Sequence, residues 1–126
     1  MKAYRQGEIL FFPQTINDIE SFMEKIEARE KKFPRTSIVA EGASSGHKHE
    51  IDNPKTGWAI NIEGEYDIPT YGDNLISVTG FQKVLFAETN VKIKHPEHKT
   101  LELPAGIYFT KAQREFDEEF ERQIVD

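Results

Sequence analysis

The chain contains no cysteine and no long apolar run. Without cysteine there can be neither disulfides nor thiolate chemistry, so any bound metal ion must be held by nitrogen and oxygen atoms. The longest apolar run, Ile9 to Phe12, is far too short to cross a bilayer, and the residues that follow Met1 are polar and charged, unlike a signal peptide. We therefore expect a cytoplasmic protein that does not associate with a membrane.

Positive charge is also scarce, with 16 Lys and Arg against 22 Asp and Glu, which gives a net charge of −6. Proteins that bind the nucleic-acid backbone rely on clustered basic residues, so we expect no nucleic-acid partner. The 126 residues include nine Phe and four Tyr, which is enough for the core of a single domain spanning residues 1–126. Neither composition nor pattern indicates an oligomeric state.

A single amphipathic helix is predicted near the N-terminus. Asn17 is a suitable N-cap, and Glu20 follows it at the spacing of a capping box. An apolar stripe at helical spacing follows, and Phe33-Pro34 ends the element. The stripe consists of Ile19, Phe22, Met23 and Ile26.

The rest of the chain has the pattern of short strands separated by turn residues, which predicts an α+β fold that is mostly β. We expect a small β-barrel or sandwich with the helix packed on it. The tail offers two alternatives, a short helix after Asp117 or a strand at Gln123–Val125. The predicted strands are Gly7–Phe12, Ser37–Glu41, His47–Asp52, Trp58–Glu63, Leu75–Val78, Phe81–Ala87, Val91–His95, Thr100–Leu103 and Ile107–Ala112.

The four histidines fall into two tight pairs, His47-Lys48-His49 and His95-Pro96-Glu97-His98. Side chains two apart on a strand share a face, and a turn brings residues three apart together. A divalent ion needs three or four donors within about 2.0–2.3 Å of one point. His47, His49, His95 and His98 are therefore the predicted metal ligands, with Zn²⁺ preferred and Fe²⁺, Mn²⁺ or Ni²⁺ as alternatives.

A metal held by three histidines would keep a position for water and lower the pKa of that water toward ~7. Glu97, or else Glu50, would then carry the proton. The corresponding reaction would be hydrolysis or isomerisation of a small polar or phosphorylated molecule. Three alternatives stay open: a closed structural metal site, direct contact of the histidines with a small-molecule ligand in a binding or regulatory module, and a solvated surface without a site.

Two resemblances add to this interpretation. Gly42 followed by His47-Lys48-His49, and the turn Leu103-Pro104-Ala105-Gly106, resemble the two motifs of the cupin superfamily of small β-barrels. The glutamate that follows the first cupin motif and the histidine that follows the second are absent, so the resemblance implies the fold and not the standard cupin metal site. The chain is also similar to small uncharacterised bacterial and phage proteins, which implies that both histidine pairs belong to one design. The residues that carry this second resemblance are Tyr4–Glu8, Ala40–Gly42, Gly46–His49, His95–His98, Leu103–Tyr108 and Gln113–Phe116.

Overall fold

The computed structural model describes residues 3–41, 47–63, 68–69, 75–76, 81–112 and 124–125. These residues form one helix and twelve short strands. In chain order the elements are β1 (Ala3–Gln6), β2 (Ile9–Gln14), α1 (Ile19–Glu30), β3 (Ile38–Glu41), β4 (Lys48–Ile51), β5 (Gly57–Asn61), β6 (Ile68–Pro69), β7 (Leu75–Ile76), β8 (Lys83–Ala87), β9 (Val91–Lys94), β10 (Leu101–Leu103), β11 (Gly106–Ala112) and β12 (Ile124–Val125).

The strands form two main sheets, and the described part of the chain contains no closed barrel. The larger sheet has the order β12-β1-β2-β11-β8-β5 and the smaller has the order β10-β9-β4-β3, while β6 and β7 form a separate pair. All pairings are antiparallel except that of β1 with β12. The prediction of a mostly β fold with one helix is confirmed. Of the two predicted architectures, a barrel and a sandwich, the described sheets resemble the sandwich.

Each face of the larger sheet is covered by a different element. Phe11 and Leu85 on one face pack with Val39 and Ile93 of the smaller sheet. The opposite face packs on α1 through a cluster that includes Phe109. Because strand side chains alternate between faces, both faces can be apolar only where strands carry apolar residues in succession, as in Ile9-Leu10-Phe11.

Helix α1 begins one residue later than the capping pattern predicts. The N-cap is Asp18 and not Asn17. The Asp18 carboxylate accepts a hydrogen bond from the backbone N–H of Ser21 at 3.0 Å and another from the Ser21 hydroxyl at 2.8 Å. Phe22 and Ile26 are fully buried, whereas Ile19 is 48% exposed. The apolar stripe is therefore narrower than predicted. No helix among the described residues is long and apolar enough to span a membrane.

The N-terminal strands differ most from the prediction. The polar segment Ala3–Gln6 forms β1, which pairs with β2 and with β12 at the other end of the chain. Strand β2 continues through Pro13 to Gln14. Beyond Phe11 its only described partner is β11, so one side of the strand is an edge there, and an edge position tolerates a proline that has no N–H to donate. Of the two alternatives for the tail, Ile124–Val125 form a strand, and Asp117 lies outside the described residues.

The pairing of β4 with β9 positions the histidines. Glu50 is opposite Lys94, and Ile51 is opposite Ile93. Continued by one position beyond Glu50 and Lys94, this antiparallel register places His49 opposite His95. His49 and Ile51 lie on the same face of β4, and both are buried, so this face is directed to the core.

Candidate functional site

The fold brings the two histidine pairs into contact. The ring centroids of His49 and His95 are 4.3 Å apart, those of His95 and His98 are 4.6 Å apart, and those of His47 and His95 are 5.6 Å apart. His95 therefore lies at the centre of the group. We call His47, His49, His95 and His98 the imidazole cluster. The fold therefore brings the four predicted metal ligands together, and their role as metal ligands stays a prediction.

His49 is the buried member of the imidazole cluster, with 1% of its surface exposed. Its Nδ1 atom lies 2.8 Å from Oε1 of Gln6 in β1, a residue that is itself 3% exposed. The Gln6 amide nitrogen donates hydrogen bonds to the backbone carbonyls of Ile93 and Lys99, each at 2.8 Å. Gln6 thus connects β4 to both ends of the segment that carries the second histidine pair.

His98 lies directly against the turn between β1 and β2. Gly7 has a φ of +59° there, and a Cβ atom at this position would overlap the imidazole ring of His98. Both the backbone conformation and the close approach require glycine. His98 itself is exposed on its other side.

Glu97 contacts both the central histidine, His95, and one outer histidine, His47. Its backbone N–H donates to Nδ1 of His95 at 3.0 Å, and its Oε1 lies 3.1 Å from Nδ1 of His47. The Glu97 side chain is 61% exposed. It therefore lies beside the imidazole cluster, where a proton carrier or an outer hydrogen-bond partner would be placed.

The predicted alternative, Glu50, is on the opposite face of β4. Its carboxylate accepts a hydrogen bond from the Ser37 hydroxyl at 2.9 Å. Because it alternates with His49 along the strand, its side chain is directed away from the core-facing row. The geometry favours Glu97 over Glu50 as the carboxylate next to the histidines.

Burial and the neighbouring imidazoles disfavour the protonated forms of His49 and His95. The pKa of His49 falls from 6.5 to about 4, first because the ring is buried and then because His95 and His98 are near. Burial also lowers the pKa of His95, and His98 and His47 act in the same direction, while Glu97 and Glu8 oppose them. Near pH 7 both rings are uncharged, which is the form that binds metal ions.

No three His, Asp or Glu side chains among the described residues are placed to hold a metal ion as they stand. The planes of His49 and His95 are inclined by 36°, and those of His95 and His98 by 37°. These rings lie partly face to face, so their nitrogen atoms do not point to a common centre. In addition, Nδ1 of His49 and Nδ1 of His95 are each engaged in a hydrogen bond.

Two grooves open beside the imidazole cluster. One, of about 510 Å³, is lined by His47 and His95 together with Lys48, Glu50 and Lys94. The other, of about 490 Å³, is bordered by His98 and by the Gln6–Gly7 segment. Small molecules can therefore approach the histidines from both sides. Residues 42–46, which precede His47 in the sequence, lie outside the described part of the chain.

Gln6 and Gly7 are the site residues that the sequence did not identify. The sequence feature that could have indicated them is the polar tetrapeptide Tyr4-Arg5-Gln6-Gly7, which comes shortly before the apolar run Ile9 to Phe12. Nothing local indicates that Gln6 bonds a histidine more than forty residues away. Such a contact follows only from the pairing of the strands.

The comparison with protein families gives a match over most of the chain. The model of a family described as a domain of unknown function (DUF8820) matches residues 5–113. The chain belongs to this family. The match begins at Arg5 and so includes both Gln6 and Gly7 as well as all four histidines. Comparisons with curated proteins and with solved structures found no match.

Proposed function

We propose that this member of the DUF8820 family binds a divalent transition-metal ion through the imidazole cluster. The observation that carries the proposal is the contact of four imidazoles, three of them within 5.6 Å of His95. Packing of the core does not account for four adjacent imidazoles, because only His49 is buried and a buried polar ring costs free energy unless it finds a partner. Metal binding accounts for this concentration.

The chemistry of the donors predicts which ions bind. Neutral imidazole suits Zn²⁺, Ni²⁺ and Fe²⁺ and binds Mn²⁺ less well, while Mg²⁺ and Ca²⁺ prefer oxygen. We expect Zn²⁺ to be preferred, with Fe²⁺, Mn²⁺ or Ni²⁺ as alternatives. The low pKa of His49 means that no proton has to be displaced from it near neutral pH.

Binding requires rearrangement of the outer rings around a fixed inner one. His49 is held by Gln6, whereas His98 is exposed and the His47 side chain is 37% exposed. His95 can offer Nδ1 only after it gives up its hydrogen bond from the Glu97 amide. We therefore expect the His95–His98 turn to move when the ion binds.

A catalytic role is the further part of this proposal. Glu97, 3.1 Å from His47, would carry a proton for a small polar or phosphorylated substrate in one of the two grooves. The metal would supply Lewis acidity there. The cupin resemblance implies a fold and not a metal site, so the catalytic role rests on Glu97 and the two grooves, and the cupin-like fold stays a prediction.

The second candidate is a binding or regulatory module in which the imidazoles contact a small-molecule ligand directly. The observation that favours it is the partly stacked arrangement of the rings beside an open groove. Such a protein would bind its ligand without metal.

Metal analysis separates these candidates. Protein purified without a histidine tag should retain metal, and titration of the chelated protein with Zn²⁺ should show saturable binding. His98→Asn should weaken that binding, whereas the control Lys55→Gln, an exposed residue between β4 and β5 that lines neither groove, should not. If none of Zn²⁺, Ni²⁺, Fe²⁺ and Mn²⁺ binds, the metal proposal is wrong and the second candidate takes its place.

A further inference from the structure

Gln6 is a buried amide with every polar atom in use. Its nitrogen lies 2.8 Å from the carbonyl oxygen of Ile93 and 2.8 Å from that of Lys99, and its oxygen lies 2.8 Å from Nδ1 of His49. Such a residue is not required for packing, because an apolar side chain of the same size would fill the space without three polar partners.

The partners determine which way the amide faces. Backbone carbonyl oxygens only accept hydrogen bonds, so the atom facing Ile93 and Lys99 must be the NH₂ group, and both of its hydrogens are used. The Oε1 atom therefore faces His49. Since this oxygen is also only an acceptor, Nδ1 of His49 must be the donor.

This hydrogen bond decides the tautomer of His49. A neutral imidazole carries one hydrogen, and here it is on Nδ1, so Nε2 has a free lone pair. We infer that Gln6 is the positioning residue of the imidazole cluster: it holds His49 in the Nδ1–H tautomer, presents Nε2 as the metal donor, and ties the His95–His98 segment to it. Histidine ligands in metal sites are oriented in this way by outer hydrogen bonds.

The inference about the tautomer stands on the hydrogen bonds alone, while its consequence for metal affinity rests on the proposed function. The two parts therefore need separate measurements. Nitrogen-15 NMR of the histidine rings reports the tautomer in the metal-free protein. Titration with Zn²⁺ reports the affinity.

In the wild type, His49 should show the Nδ1–H tautomer. Gln6→Leu should lose this preference and bind Zn²⁺ about 10–100-fold more weakly, the usual effect of removing an outer hydrogen-bond partner. Gln6→Glu keeps an acceptor for Nδ1–H but turns a second acceptor toward the carbonyls of Ile93 and Lys99, so it should retain the tautomer at a cost in stability. The matched control is Gln14→Leu, a half-buried glutamine at the end of β2 that contacts no histidine in the described structure.

An Nε2–H tautomer in the wild type would overturn the inference, and this measurement needs no variant to fold. A folded Gln6→Leu protein with unchanged tautomer and unchanged Zn²⁺ affinity would overturn it as well. If the wild type shows the Nδ1–H tautomer, Gln6→Leu loses it, and neither binds Zn²⁺, Gln6 positions His49 but the proposed metal function fails.

Discussion

The rings of His49 and His95 lie 4.3 Å apart, centroid to centroid, although the two residues are on different strands. The contact follows from the register of β4 with β9, in which Ile51 is opposite Ile93 and the next inward pair is His49 and His95. A shift of this register by one residue would direct Lys48 or Lys94 into the core. The apolar residues that set the register therefore also build the site.

Replacement of the buried histidine tests what the imidazole cluster does. His49→Ala should abolish metal binding, and it should cost about 1–3 kcal/mol of stability in the metal-free protein, because Oε1 of Gln6 is left buried without its partner. Zn²⁺ titration and urea unfolding in the presence of a chelator measure the two effects.

The companion variant is Glu97→Gln. It should keep the metal, since this carboxylate is exposed and beside the rings, but it should lose any metal-dependent activity. If the metal is structural, chelation of the wild type should lower Tm as strongly as His49→Ala does. Unchanged metal content, stability and ligand binding in His49→Ala would contradict every version of the site.

The stability of the metal-free protein should depend on pH through His49. Its pKa is 6.5 when unfolded and about 4 when folded, so above pH 6.5 both states are neutral. As the pH falls below 6.5 the unfolded state takes up a proton and the folded state does not, so the free energy of unfolding decreases until about pH 4. The loss is up to ~3 kcal/mol.

Urea unfolding between pH 7.5 and pH 4 with a chelator present measures this loss. His49→Gln removes the titrating ring and should flatten the curve in that range, leaving the slope that other groups contribute. The same slope in both proteins would show that the folded state does not exclude a proton from His49.

Gly7 should not tolerate a side chain. Its φ of +59° costs an alanine about 1–2 kcal/mol, and the added Cβ would also overlap the ring of His98. Gly7→Ala should therefore destabilise the protein and displace His98. In the double variant Gly7→Ala/His98→Ala the overlap is gone, so part of the loss should be recovered. Additive losses in thermal unfolding would show that the two residues are not in contact.

Phe22 should be an essential part of the core between α1 and the larger sheet. It is fully buried and packs near Phe86 and Phe109. Phe22→Ala should cost about 3–5 kcal/mol in urea unfolding. Ile19→Ala, on the same helix but 48% exposed, is the control and should cost much less. A loss below ~1 kcal/mol for Phe22→Ala would show that this helix face is not core.

The protein should not bind duplex nucleic acid, because a net charge of −6 offers little release of counterions. Fluorescence anisotropy with a random DNA duplex should show no binding at micromolar protein. Steeply salt-dependent binding in that range would prove the prediction wrong.

Much of the secondary structure could be predicted because it depends on neighbours in the sequence. The alternation of Val91 and Ile93 with lysines is the local pattern behind the predicted strand Val91–His95, most of which forms β9. The start of α1 was harder to predict, because Asn17 and Asp18 are both residue types that cap helices. The structure shows that Asp18 accepts the hydrogen bond from the Ser21 backbone N–H. Strand β1 was not among the predicted strands, because its sequence includes Arg5 and Gln6. The polar side chain of Gln6 is explained only by its contact with His49, which is distant in the sequence.

By itself the sequence determined that this is a cysteine-free, acidic chain of short strands and one helix, with its imidazoles in two pairs. Only the tertiary structure decided that these pairs meet, that Glu97 and not Glu50 accompanies them, and that Gln6 holds His49 in one tautomer. The physical reason is that local patterns specify which face of a strand is apolar, whereas strand order and register bring distant polar groups within hydrogen-bonding distance.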